Sequence, residues 1–545
     1  MSWFGHAGTV GPARFHGGAA WITVAFCLVS CGPAGLRWLR VAQREHYLAG
    51  SVSRFAARWW RATPLNAALA TLAVAAAVAA LWWPAAGVGV AAVVTAGPVG
   101  LSLRGRTSPL AWTRRLRTLA AVVAALELLV VGVGLATGAA SVFAVVAALA
   151  VPVVVDTACW ITSPLERRLS ARFVDDAAAR LARVAPTVVA VTGSYGKTST
   201  KGHIAHLVRP TRTVVATPAS FNNRAGLARA INEHLADGTE VFVAEMGTYG
   251  PGEIADLCRW CPPDIAVITA IGPVHLERFG SEDRIVEAKA EILEPADVVV
   301  VQVDDPRLAA LAGRAEARGK QVLRCSTSDR SADVCVERSQ DGARLSAYLH
   351  GTLVAGDVPV PTGLQPSNLA CAIAVALAVK VEPEDVVSRL GTLTAVDHRL
   401  QAVRSASGAT ILDDTYNANP AGASEALAGL SATAGLSASA GPGTTSPSGH
   451  AQRTVVVTPG MVELGPRQFE ENRVFGVAIA SIATDLLIVG RTNRRALLAG
   501  AGSVPDPTTE VQWVPDRNRA VEWVRNHLGP GDVVLYENDL PDHYP

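Results

Sequence analysis

Between Met1 and Ser163 the sequence has no lysine and only three acidic residues, Glu45, Glu127 and Asp156, against twelve arginines. Charge is scarce along the whole chain, where Asp, Glu, Lys and Arg make up 17% of 545 residues and half of the residues are hydrophobic. That scarcity excludes a disordered chain, and a formal net charge of +1 excludes an obvious nucleic-acid binder. The small total is a cancellation. Residues 1–163 carry +9, and the remainder, with 36 basic against 44 acidic residues, carries −8. Nine of the twelve tryptophans also fall before residue 164, which suits interfacial aromatic belts better than a soluble core. The length allows three or four domains of about 150 residues each.

Five stretches in the first part are apolar for about the twenty residues that a bilayer requires: 17–36, 64–82, 85–103, 118–136 and 139–161. Trp82-Trp83-Pro84 and Thr137-Gly138 read as tight turns between neighbouring spans. The two longer connections hold Arg37, Arg40, Arg44, Arg54, Arg58 and Arg61, and Arg104, Arg106, Arg114, Arg115 and Arg117. By the positive-inside rule these face the cytoplasm, which places the N-terminus outside and everything after Ile161 inside a multi-pass plasma-membrane protein. A cleaved signal peptide is not expected, because the first span has no basic N-region beyond Arg14 and no clear small-residue cleavage site. Glu127 and Asp156 fall at membrane depth and are functional candidates by default; the plainer reading has Asp156 at the interface and Glu127 neutral or paired inside the bundle.

Eight cysteines raise the question of zinc. Cys258-Arg-Trp-Cys261 has the spacing of half a zinc site, which Cys325 and Cys335 could complete, but the latter pair lack the short knuckle of usual ligands. Disulfides are not expected in a cytoplasmic segment.

After a predicted helix near 164–184, Pro186-Thr-Val-Val-Ala-Val-Thr-Gly-Ser-Tyr-Gly-Lys-Thr-Ser-Thr200 reads as a buried strand, a glycine turn and a helix start. This is how a phosphate cradle is built. Gly193 and Gly196 permit the turn, with Ser194 between them; backbone N–H groups point inward; and the start of the helix, with Ser199 in its first turn, favours an anion. Lys197 would reach the β- and γ-phosphates and the Thr198 hydroxyl a magnesium ion. Val191 stands where the general eight-residue pattern has glycine, so the loop is the shortened form G-x-x-G-K-T.

Further segments follow in order: Phe221-Asn222-Asn223-Arg-Ala-Gly226, Val241-Phe-Val-Ala-Glu245-Met-Gly247, Asp264 to Gly280 with His275, Ile285-Val-Glu-Ala-Lys289-Ala-Glu291, His398-Arg399-Leu-Gln401 and Leu412-Asp-Asp414-Thr-Tyr-Asn-Ala-Asn-Pro420. In order and spacing these resemble the Mur ligase family over about residues 180–490, most closely its D-alanyl-D-alanine-adding branch. The resemblance implies ATP and Mg2+ as cofactors, with Thr198, Glu245, His275 and Lys289 at the metal, the last as a carbamate in several members or as a plain ammonium. It places Asn222 and Asn223 at the substrate and phosphate sides, and Arg399, Asp414 and Asn417 at the nucleotide. The implied reaction activates a carboxylate on the ATP γ-phosphate as an acyl phosphate, which an amine converts to an amide.

The expected organisation is a transmembrane domain over 1–163, a central doubly wound P-loop-type domain over 164–390, and a Rossmann-like C-terminal α/β domain over 391–545 with a flexible insertion at 431–452. Departures from the family concern substrates. The membrane segment stands where relatives keep the domain for a uridine-nucleotide sugar, so the expected acceptor is a lipid-linked or membrane-associated carboxylate, or a partner protein supplies recognition. Tyr536-Glu-Asn-Asp-Leu-Pro-Asp-His-Tyr-Pro545 ends the chain where a basic stretch would be expected, which puts recognition of a D-alanyl-D-alanine carboxylate in question. A poly-γ-glutamate-type ligase is the alternative enzyme, and a P-loop transporter or an inactive scaffold the alternative of another class.

Overall fold

A computed structural model of the chain describes residues 17–101, 110–218, 221–339, 342–361, 363–393, 400–415, 419–435, 452–505 and 508–539. It forms two compact units that divide between Leu169 and Ser170.

The N-terminal unit is helical. Gly18–Arg44, Arg114–Ala136 and Ala140–Val184 are each long and apolar enough to cross a membrane. Ser51–Arg61 and Pro64–Ala80 make a fourth candidate only as a pair bent by 110°. The expected span at 85–103 is reduced to a short helix, Gly87–Ala96, because Pro84 and the Gly97-Pro98 pair bracket it. Five spans thus become three among the described residues, or four with the bent pair. The expected boundary at 163 also falls inside one continuous helix, Ala140–Val184.

Several buried polar groups in this unit find partners within it. Arg37 is buried, and its guanidinium donates to the carbonyl oxygens of Val94, Thr95, Gly97 and Leu101, the C-terminal end of the short helix, where a cation is favoured. Asp156 is buried, and its carboxylate accepts from the Val52 and Ser53 N–H groups at 3.2 and 2.8 Å and so caps the start of Ser51–Arg61. Glu127 is buried beside Cys31, whose Sγ lies 3.6 Å from Oε2.

The second unit holds two sheets. The first contains β1 (Thr187–Thr192), β2 (Val214–Ala216), β3 (Val241–Glu245), β4 (Ile265–Ile268), β5 (Val298–Gln302), β6 (Gln321–Ser326), β7 (Val334–Arg338), β8 (Arg344–Leu349) and β9 (Thr352–Pro359), in the order 2-3-1-4-5-6-7-8-9. Pairing is parallel as far as β7 and antiparallel beyond it. The strands read as unbroken apolar runs because both faces are covered. Along β1, Val188 and Ala190 pack against the layer of Arg224–His234 and Glu253–Trp260, and Val189 and Val191 against Lys197–Val208 and Pro366–Ala378. Each fully buried valine contributes roughly 1.5–3 kcal/mol over an exposed one.

The second sheet contains β10 (Gln401–Arg404), β11 (Thr410–Asp414), β12 (Thr454–Thr458), β13 (Asp485–Val489), β14 (Glu510–Val514) and β15 (Val533–Glu537), in the order 10-11-15-12-13-14. All pairs are parallel except β10 with β11. Leu427, Phe475 and Leu497 cover one face, and Ala520 and Val524 the other. Both sheets are doubly wound, so each has a point where the strand order reverses: beside β1 in the first and between β12 and β15 in the second. Ligands of such sheets bind at the carboxyl ends of the strands there.

Candidate nucleotide site

The reversal point of the first sheet is occupied by the loop of residues 193–196. β1 ends at Thr192 and the helix begins at Lys197, as the sequence predicts. Gly193 (φ 155°) is required by space, since a Cβ there would stand 2.0 Å from Thr269 Oγ1; one at Gly196 (φ 79°) would stand 2.1 Å from Asn368 Oδ1. The Ser194 N–H donates to Ala270 O at 2.7 Å and its hydroxyl to Gly272 O at 3.1 Å, tying the loop to the segment after β4. The Tyr195 ring packs on Gly272, where no side chain would fit.

The chain has only five lysines, and three of them gather at this loop. Lys197 Nζ and Lys289 Nζ each donate to Gly193 O at 2.9 Å. Burial, reinforced by the neighbouring Lys197, holds the Lys289 amine well below the usual lysine range. The third, Lys201, is buried and ion-paired to Glu245, with Nζ 3.0 Å from Oε2.

Glu245 ends β3 and is the hub of the site. Its Oε2 accepts from Thr198 Oγ1 at 3.0 Å as well as from Lys201, and its Oε1 accepts from Asn222 Nδ2 at 3.1 Å. Thr198 and Lys201 meet it together because they lie three apart on one helix face. Ser199 is half-buried in the same first turn.

Asn223 is placed differently: its side-chain oxygen accepts from Gly226 N–H at 3.0 Å and caps the helix Arg224–His234. His275 lies beyond Gly272 in the same segment, its ring against Tyr249 and its Nδ1 on the Glu463 carboxylate. Asp414 ends β11 in register with Glu537 of β15, while Arg399 and Asn417 lie outside the described residues. Sequence reasoning did not single out Lys201, Asn368 or Glu463. The first carried a usable signal, its spacing from Thr198; the other two are brought in by distant segments.

The cysteines do not form a metal site. Cys258 and Cys261 are buried, burial pushing the Cys258 thiol up to about 12, and Cys325 lies beside Cys371. Among the described residues no three His, Cys, Asp or Glu side chains are grouped to hold a metal. Magnesium does not need such a cage, since it takes one or two carboxylates and keeps waters and phosphate oxygens; the hard oxygens of Thr198 and Glu245 fit that requirement.

Residues 191–376 match the model of the Mur ligase middle domain, and residues 398–536 that of the Mur ligase glutamate ligase domain. A UDP-N-acetylmuramoyl-tripeptide–D-alanyl-D-alanine ligase of Mycobacterium leprae is 33% identical over 387 residues, which cover 67% of this chain and 73% of the relative. The chain belongs to the Mur ligase family. A Bacillus subtilis ligase of the same description is 27% identical over 364 residues, covering 66% of this chain and 75% of that one. Among solved structures, MurF ligase from Thermotoga maritima in complex with ADP is similar with a TM-score of 0.53 and 26% identity, covering 68% of this chain and 80% of that chain. MurF from Acinetobacter baumannii shares the fold with a TM-score of 0.55, covering 67% and 77%. This Mur ligase is an ATP-dependent, ADP-forming acid–amino-acid ligase.

In this Mur ligase the second reversal point differs in charge from the first. Glu537 closes β15 fully buried, and Thr458, at the end of β12, donates its hydroxyl to Oε2. Its Oε1 has no hydrogen-bond partner among the described residues. Burial pushes the Glu537 carboxyl up to about 8, the Thr458 bond working against it and the Asp414 charge with it.

Proposed function

We propose that this protein is a membrane-anchored Mur ligase of cell-wall precursor synthesis, whose ligase domains lie in the cytoplasm and whose acceptor is a lipid-linked or otherwise membrane-associated carboxylate. One observation carries the reading: the apolar helix Ala140–Val184 runs to within two residues of β1, and the family matches begin only at residue 191. Apolar helices occupy the chain before the phosphate loop, and an acceptor held in the bilayer would need no separate nucleotide-sugar domain. A partner protein supplying acceptor recognition is the other arrangement that this organisation allows.

At the nucleotide, Lys197 and the loop N–H groups would hold the ATP phosphates while the acceptor carboxylate attacks the γ-phosphorus, breaking its bond to the β-phosphate oxygen. ADP leaves, and an amine then displaces phosphate from the acyl carbon to form the amide. The chain's work is positioning and charge neutralisation, which is most of what phosphoryl transfer requires. Thr198, Glu245 and His275 would hold magnesium, which supplies charge neutralisation on the phosphates when bound. Asn222 would steady Glu245 from the substrate side, with Arg399, Asp414 and Asn417 at the nucleotide from the C-terminal domain. Lys289, its amine held below the usual lysine range by burial and by Lys197, would be an oxygen ligand if carried as a carbamate.

The full chain, purified in detergent, should turn over ATP with lipid-linked precursor and an amine donor. Turnover with the soluble nucleotide-linked peptide alone, and none with the lipid-linked form, would contradict the acceptor assigned here.

A further inference from the structure

The two α/β domains meet at a contact that the ligation chemistry above does not use. In the loop after β12, Glu463 has a left-handed backbone (φ 64°), and so has His275 opposite it (φ 57°). Such a conformation is strained for a non-glycine residue and persists only where the surroundings impose it. Here the imposing contact is mutual. Glu463 O accepts from Leu276 N–H at 3.0 Å, and the Glu463 carboxylate takes His275 Nδ1. On its other side the imidazole meets Tyr249 edge-on, centroids 4.9 Å apart, with the Arg278 guanidinium 5.0 Å from the Tyr249 centroid. A second tie lies nearby, where Arg467 pairs with Glu282, which also holds Arg307.

An imidazole that donates Nδ1–H to a carboxylate keeps its lone pair on Nε2, the nitrogen then able to bind a metal. Metal-binding histidines almost always donate their other N–H in this way, and the partner sets both ring orientation and tautomer. In this chain the carboxylate comes from the C-terminal domain, whereas the phosphate loop belongs to the central one. We infer that Glu463 is a positioning residue for His275, fixing its ring and tautomer from across the domain boundary, so that the nucleotide site holds its divalent ion tightly only when the C-terminal domain is docked. The inference rests on the reading of His275 as a metal ligand.

Manganese binding to the full chain in detergent, followed by electron paramagnetic resonance with a non-hydrolysable ATP analogue, tests it without turnover. Glu463→Ala should weaken manganese about 10- to 100-fold, and Glu463→Gln, which retains an acceptor for Nδ1–H and disturbs the loop least, should recover most of that loss. The double variant His275→Ala/Glu463→Ala should bind no worse than His275→Ala alone, because the two act through one ring. Arg467→Ala cuts the neighbouring ion pair but leaves the ring contact, and should retain affinity within about threefold of the parent chain. Unchanged affinity in both Glu463 variants, additive losses in the double variant, or an equal loss in Arg467→Ala would each overturn the role of Glu463. If the parent chain with nucleotide bound no manganese, the reading of His275 would fail, and the inference with it.

Discussion

Lys201 Nζ lies 3.0 Å from Glu245 Oε2, with the two side chains only 6% and 2% exposed. A buried pair of this kind gains little over an apolar pair of similar volume, but removing one partner strands the other charge, at a cost of about 3–5 kcal/mol. Lys201→Met should therefore lower the thermal stability of the ligase unit by that amount, and Glu245→Gln introduced with it should restore most of the loss. Thermal unfolding of the two variants and the parent checks this; a Lys201→Met chain as stable as the parent would show that Glu245 does not depend on the pair.

Gly196→Ala places a methyl group 2.1 Å from Asn368 Oδ1 in a left-handed backbone conformation. Strain of about 1–3 kcal/mol in the loop corresponds to roughly five- to 150-fold weaker nucleotide binding. Calorimetry with an ATP analogue should show that loss, and Asn368→Ala in the same chain, by opening the space, should recover part of it.

The Glu537 carboxyl, raised by burial to about 8 from an ordinary value near 4.5, gives the stability of the C-terminal domain a pH dependence of definite sign. Below the unfolded value both states hold the proton. Between the two values the unfolded chain ionises while the folded one does not, so stability falls as pH rises toward 8 and levels off beyond it. Glu537→Gln removes that loss. Melting curves at pH 5 and 8.5 should show the variant gaining, relative to the parent, on the order of a few kcal/mol at the higher pH only. An equal gain at both values would assign the effect to packing.

The phosphate loop was legible in the sequence because its signals are local: an apolar strand, two glycines at fixed spacing, and a lysine and threonine opening a helix. The strands at 454–457 and 485–490 were legible for the same reason, as unbroken apolar runs. The apolar helices of the first part were legible in composition but not in number, because twenty apolar residues do not reveal that Pro84 and Gly97-Pro98 will cut one stretch to a short helix. Asn223 shows a different limit. The same side chain serves a phosphate-side role or a helix cap, and in the folded chain its oxygen is on the cap. The contact of Glu463 with His275 could not have been read from the sequence, since the two lie 188 residues apart and meet only once two domains have folded and docked.

The most direct test of the account uses an acceptor whose carboxylate carries oxygen-18. If the carboxylate is activated on the ATP γ-phosphate, each amide bond formed should leave one labelled oxygen in the released phosphate and yield ADP, and Lys197→Ala should abolish both while leaving the chain folded. Amide formation with unlabelled phosphate, or undiminished formation by Lys197→Ala, would contradict it.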